Sequence, residues 1–116
     1  MFTGCGSTYY AGMVEQRSSQ AGTGITARAV SATELMLFPE MIVSAHRTAL
    51  LICVSRSGTT RETVACPAET KLKDLAGGHS IIFLTCESGN PLAQTADVLV
   101  AIDAAQEESR VQTRSL

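Results

Sequence analysis

The residues best suited to chemistry in this 116-residue chain are four hydroxyls, one guanidinium and one glycine, packed into Ser55-Arg56-Ser57-Gly58-Thr59-Thr60. They follow Ala49-Leu50-Leu51-Ile52-Cys53-Val54, an apolar run without polar alternation that reads as a strand buried on both faces. Arg61-Glu62-Thr63-Val64 then reads as the start of a helix. A buried strand that ends in a hydroxyl-rich turn and feeds a helix N-terminus suits an anion. The helix offers unpaired N–H groups and the positive end of its dipole, and the serines and threonines add donors. A phosphate monoester is the expected guest; a cap that binds only water is the alternative reading of the same residues.

A second hydroxyl turn lies near the start of the chain, in Gly4-Cys5-Gly6-Ser7-Thr8-Tyr9-Tyr10, after the short strand Met1-Phe2-Thr3. Gly4-x-Gly6 could open a dinucleotide fingerprint, but Tyr9 stands at the third glycine position. No acidic residue follows the next strand candidate at the ribose position either. A nicotinamide or flavin dinucleotide is therefore not expected, and neither is any other cofactor.

The elements that must position these turns follow from periodicity and breakers. A helix is expected from Tyr10 to Gln20, with Ala11, Val14 and Ser18 or Ser19 inward, stopped by Ala21-Gly22-Thr23-Gly24. Ile25 to Val30 alternates and suits a strand near a sheet edge with Arg28 outward. Ser31 is the expected N-cap of a helix from Ala32 to Phe38, with Glu34 as its capping-box partner and Pro39 as its stop. Met41 to Thr48 reads as a connector holding His46, a solvated histidine beside Arg47. After the central strand, a helix from about Thr60 to Ala76 must kink or restart at Pro67, because an interior proline costs about 3 kcal/mol. Ser80 to Cys86 is another wholly apolar strand, followed by the turn Glu87 to Pro91 and a short helix from Leu92 to Ala96. Asp97 to Ile102 is an edge-like fifth strand, and a polar tail closes the chain.

Strands alternating with helices, the inner strands continuously apolar, specify an α/β fold: three layers αβα around a five-stranded parallel sheet. Right-handed crossovers favour the flavodoxin-like order 2-1-3-4-5. Its switch point falls between the first and third strands, whose carboxyl ends carry the two hydroxyl turns. Topology thus brings Gly6-Ser7-Thr8 and Ser55 to Thr60 to one crevice.

Composition excludes several classes. A formal charge of -2 argues against a basic face for nucleic acid, and the absence of tryptophan argues against a stacking platform for bases. No apolar run has the length of a membrane span and no signal-peptide pattern opens the chain, so no membrane partner is expected. Cys5, Cys53, Cys66 and Cys86 show no C-x-x-C pairing and no neighbouring histidine, so no metal site is expected. Reduced cysteines in apolar runs fit a cytoplasmic protein.

Four stretches occur in the order of a known family: Gly4 to Tyr10, Ala32-Thr33-Glu34-Leu35, Ser55 to Thr63, and Glu108-Ser109-Arg110-Val111-Gln112-Thr113-Arg114-Ser115. The chain resembles the sugar isomerase (SIS) domain. It is most similar to the first of the two SIS domains in the isomerase half of glucosamine-6-phosphate synthase and its deglycase-like and aldose/ketose isomerase relatives. The resemblance implies a sugar phosphate such as fructose 6-phosphate or glucosamine 6-phosphate as ligand. It implies that Ser55, Ser57 and Thr60 hold the phosphate, with Arg56 and Gly58 giving backbone N–H groups. Gly6, Ser7 and Thr8 would face the open-chain sugar, and Val111 and Thr113 match tail positions that line it.

In those relatives the acid and base of aldose–ketose isomerisation come from a second SIS domain or an adjacent subunit. Residues 1–116 are therefore expected to form one SIS domain, incomplete at both ends, working with a second copy or a partner SIS domain. Whether it is an enzyme is left open by the sequence. Binding without catalysis is the first expectation. An active homodimer drawing on Glu107, Glu108 or His46 is the second, and a phosphosugar-sensing regulatory module the third. A non-functional remnant with uncovered apolar sheet surface is the fourth.

Overall fold

Short apolar segments form the strands β1 (Phe2–Gly4), β2 (Ala29–Ser31), β3 (Leu50–Val54), β4 (Ser80–Thr85) and β5 (Val98–Ala101). In the computed structural model, which describes residues 1–42, 49–57, 80–86, 89 and 96–102, they pair in one sheet. Every pairing is parallel and the order is β2-β1-β3-β4-β5, as the alternation of apolar runs and helical segments predicts. The described helices are α1 (Ser7–Thr23), α2 (Ala32–Leu37) and α3 (Pro39–Ile42). α1 lies on one face, over β1 and β2; α2 joins β2 towards β3 and packs on the other, giving three layers.

Register explains where the core sits. Thr3 pairs with Val30 and Cys53, Cys53 with Phe83, and Phe83 with Leu99, so these five side chains form one row across the sheet. Leu51 and Ile81 form the row beside it. Val30, Leu51, Cys53, Ile81 and Phe83 are buried there together with Leu35 from α2. Thr3 is buried in the same row, and its hydroxyl has no hydrogen-bond partner among the described residues.

Local chemistry sets the helix ends. Ser31 keeps extended backbone (φ -64°, ψ 144°) and its Oγ accepts from the N–H of Glu34 at 3.1 Å, which starts α2 as the cap pattern predicts. Gly24 takes the left-handed conformation (φ 71°) and its N–H donates to the Gln20 carbonyl at 2.9 Å, which ends α1.

Five expectations need correction. β3 and β4 are not buried on both faces: Leu51, Cys53, Ile81 and Phe83 are buried, whereas Leu50 is exposed and Ile52, Val54, Ile82 and Leu84 are half-buried. Among the described elements only α1 packs on that second face, and it lies mainly over β1 and β2. β2 starts at Ala29 rather than Ile25, because the three residues of β1 offer a ladder only to Ala29, Val30 and Ser31. The chain leading into it leans on α1 instead: the Gln20 side-chain carbonyl accepts from the N–H of Ala27, and that of Gln16 from the N–H of Ala29, the first residue of β2.

α1 begins at Ser7, three residues before the expected start, so the second hydroxyl turn is itself a helix N-terminus. Its inward residue is Gly12, where a Cβ would meet the Phe2 Cβ at 3.2 Å; Val14 is 66% exposed rather than inward. The helix that stops before Pro39 restarts at it, since proline suits a first helical position. Pro67, the helix expected around it, the segment holding His46, Cys66 and the polar tail lie outside the described residues. No helix among the described residues is long and apolar enough to cross a membrane.

The exposure difference gives a direct check on the packing. Phe83→Ala should lower the stability of the fold by about 3–5 kcal/mol, whereas Val14→Ala should change it by less than about 0.5 kcal/mol. Urea denaturation followed by circular dichroism measures both, and equal losses would contradict this placement of α1.

Candidate functional site

The first turn is built by two glycines and one threonine. A Cβ on Gly4 would lie 2.6 Å from Thr8 Oγ1 and 3.0 Å from the Val54 carbonyl oxygen, so only glycine fits there. The backbone at the end of β1 therefore runs against the last residue of β3. Gly6 takes φ 57°, ψ -128°, a conformation for which glycine carries no Cβ penalty, and turns the chain into α1. Its carbonyl accepts from the N–H groups of Tyr9 and Tyr10 at 3.1 and 3.4 Å, the first bonds of the helix.

Thr8 is held inside this turn. Its hydroxyl donates to the Cys5 carbonyl at 2.7 Å and accepts from the Cys5 N–H at 3.1 Å. The hydroxyl's single proton is thereby committed to the turn. Ser7, one residue earlier, is exposed, and no side chain among the described residues caps the N-terminus of α1. The two hydroxyls that the sequence groups as sugar contacts thus sit in different environments. From Ser7 an open groove of about 510 Å³ runs along α1 past Tyr10, Ala11, Val14 and Glu15. That is within the range of small-molecule clefts, roughly 300–1,000 Å³.

The second turn leaves the sheet at Ser55. Ser55 is 4% exposed and its N–H still donates to the Leu84 carbonyl at 3.0 Å, continuing the β3–β4 ladder. The next contact belongs to the turn: the Arg56 carbonyl accepts from the Cys86 N–H at 2.9 Å and from the Thr85 hydroxyl at 3.1 Å. In the Val54–Leu84 register, Cys86 would face the carbonyl of Ser55, so the chain has advanced one residue as it peels away. Arg56 and Ser57 are half-buried at this point.

The structure therefore places Gly6, Ser7 and Thr8 at the carboxyl end of β1, and Ser55, Arg56 and Ser57 at the carboxyl end of β3. These strands are neighbours at the switch in strand order. Gly58, Thr60, Val111 and Thr113, with Glu107 and Glu108, lie outside the described residues. Glu34 stands in the first turn of α2, and its N–H is the donor that the Ser31 cap receives. Sequence reasoning missed Gly4 and Thr85. The signal for Gly4 is a glycine at the very end of a strand, where backbones approach closely. Thr85 looks in sequence like any threonine closing an apolar run.

Comparisons with known proteins agree with this fold. The family model described as the SIS domain matches residues 1–115. Among solved structures, glucosamine-6-phosphate deaminase from Thermotoga maritima is 27% identical with a TM-score of 0.84, over 98% of this chain and 34% of that one. The Escherichia coli CFT073 protein c3406, in complex with arabinose 5-phosphate, is 26% identical with a TM-score of 0.71, over 96% of this chain and 55% of its own. Tagatose-6-phosphate ketose/aldose isomerase from Escherichia coli shares the fold at 23% identity and a TM-score of 0.86, over 98% of this chain and 32% of that one. The chain thus spans about a third of the length of the deaminase and of the ketose/aldose isomerase. None of the curated proteins matches it.

The close approach at Gly4 is open to test. Gly4→Ala should destabilise the chain by about 1–3 kcal/mol through overpacking, visible in calorimetry as a lower Tm. An unchanged Tm would mean that the two turns are not held against each other as described.

Proposed function

The chain belongs to the SIS domain family, and on that premise we propose that it is a sugar-phosphate-binding domain of an aldose/ketose isomerase or aminotransferase-like protein. The observation that carries the reading is the pair of hydroxyl turns at the carboxyl ends of β1 and β3, drawn together where Gly4 meets the Val54 carbonyl. Ser55, Ser57 and Thr60 are assigned to the phosphate, with backbone N–H groups from Arg56 and Gly58. The sugar end is assigned to the N-terminus of α1 with Ser7, and to Val111 and Thr113 from the tail. The deaminase at 27% identity and the protein in complex with arabinose 5-phosphate at 26% support this ligand class. Assembly with a second copy or a partner SIS domain, and a reducing cytoplasm for the thiols of Cys5, Cys53 and Cys86, belong to the same reading.

A phosphate dianion gripped this way draws on charge-assisted hydrogen bonds worth about 1.5–3 kcal/mol each. Fructose 6-phosphate or glucosamine 6-phosphate should raise the Tm in a thermal-shift titration; ligand at a hundred times its Kd adds about 2.7 kcal/mol. Ser57→Ala should weaken binding roughly ten- to hundredfold. Neither sugar phosphate stabilising the chain would refute the assignment.

Isomerisation moves a proton between C1 and C2 and requires a base at that position. The described side chains of the two turns are hydroxyls, a thiol and a guanidinium, suited to holding an anion rather than to abstracting a proton from carbon. The chain alone should therefore leave the C2 proton of bound glucosamine 6-phosphate unexchanged in D2O, as followed by proton NMR. Exchange at high protein concentration would instead point to a base supplied across a dimer by Glu107, Glu108 or His46.

A further inference from the structure

We infer that Thr85 is a positioning residue for the candidate phosphate turn: its hydroxyl, with the Cys86 N–H, fixes the Arg56–Ser57 peptide so that the Ser57 N–H turns towards the Gly4–Ser7 turn. This rests on the sugar-phosphate reading for its purpose, but its geometry stands apart from it. The Arg56 carbonyl accepts from two donors, Thr85 Oγ1 at 3.1 Å and Cys86 N at 2.9 Å, and both belong to the end of β4. Two donors on one oxygen define the direction of that carbonyl far better than one.

A peptide unit is planar and trans, so its C=O and its N–H point in opposite directions; no cis bond occurs among the described residues. With the Arg56 carbonyl drawn towards β4, the Ser57 N–H is directed away from β4. In the order β1-β3-β4, away from β4 is towards β1. There Gly4 lies against the Val54 carbonyl and α1 presents its N-terminus. Thr85 itself is 3% exposed, so it acts on a ligand through the peptide that it holds. Burial also favours the bond, because leaving a hydroxyl that is kept from water without a partner costs free energy.

The role differs from simple packing in what it predicts. Thr85→Val keeps the shape and removes the donor, and Thr85→Ser keeps the donor and removes a methyl. Thr85→Val should weaken inorganic phosphate and fructose 6-phosphate by the same factor, about three- to tenfold for one neutral hydrogen bond. Thr85→Ser should restore both affinities. In ¹⁵N spectra of the free protein, Thr85→Val should shift the Ser57 amide and speed hydrogen exchange at Cys86, and Thr85→Ser should do neither. A Thr85→Val protein that binds both ligands like the wild type, with an unmoved Ser57 amide, would overturn the inference.

The two readings fail separately. If the wild-type chain binds neither ligand, the sugar-phosphate reading is lost. The Ser57 and Cys86 amides then decide the positioning role alone: a change confined to Thr85→Val supports it, and no change refutes it. A purely structural role would move the urea midpoint of Thr85→Val without altering the Ser57 amide at temperatures far below unfolding, and that outcome also counts against the inference.

Discussion

The crevice depends on the missing side chain at Gly4. Parallel neighbours in a sheet diverge where their chains turn off into helices, and a side chain at either end pushes the turns further apart. At Gly4 the space for a Cβ is already taken by Thr8 Oγ1 and the Val54 carbonyl oxygen. The backbone of β1 can therefore run against the last residue of β3, and the N-terminus of α1 starts within the same small volume. Gly6 completes the arrangement by supplying a positive φ at the residue just before the helix. Without these two glycines the strand order would still place the turns side by side, but not in contact.

Which face of the sheet a residue occupies decides how much freedom it has. On the α2 face, the row Val30, Thr3, Cys53, Phe83 and Leu99 is continuous, and Ser55 and Thr85 follow two residues further along β3 and β4. Their burial fixes the backbone from which the turns after these strands start. Thr3 has a hydroxyl within that row without a partner among the described residues, a cost of about 1–3 kcal/mol that the surrounding apolar contacts offset. On the α1 face Ile52, Val54, Ile82 and Leu84 are only half-buried, so burial alternates along segments whose composition is apolar throughout. Composition reports what a strand is able to bury; the packing partners decide what it does bury.

That distinction also explains what was legible in the sequence. Strand order was legible, because apolar runs separated by helical lengths leave few right-handed topologies for five parallel strands. The Ser31 cap and the Gly24 stop were legible too, because each depends on one residue and its immediate neighbours. The start of β2 was not: it depends on how many residues β1 offers as a partner and on two glutamines of α1 that bond to Ala27 and to Ala29, where the strand begins. The inward face of α1 was misread because Gly12, the residue that lets the helix approach Phe2, contributes nothing to a hydrophobic pattern. Around the candidate site, the chemical types of the two turns were evident. Which hydroxyl points where was not, because that is set by the backbone group each oxygen reaches, within its own turn for Thr8 and in the turn after β3 for Thr85.

Hydroxyl groups in this fold consequently divide by what they have already bonded. Ser31, Thr8 and Thr85 each engage a backbone group nearby: the first starts α2, the second locks the turn before α1, and the third holds the turn after β3. Each replaces water around a backbone polar group that a turn would otherwise leave unsatisfied. A threonine suits the buried positions, since its methyl group packs while its oxygen bonds. A serine that remains exposed, as Ser7 does, keeps its donor and acceptor capacity for something that arrives from solvent. A cluster of hydroxyls in sequence is therefore not a list of ligands. Part of it builds the cradle, and the structure separates that part by burial and by the backbone atoms that each oxygen touches.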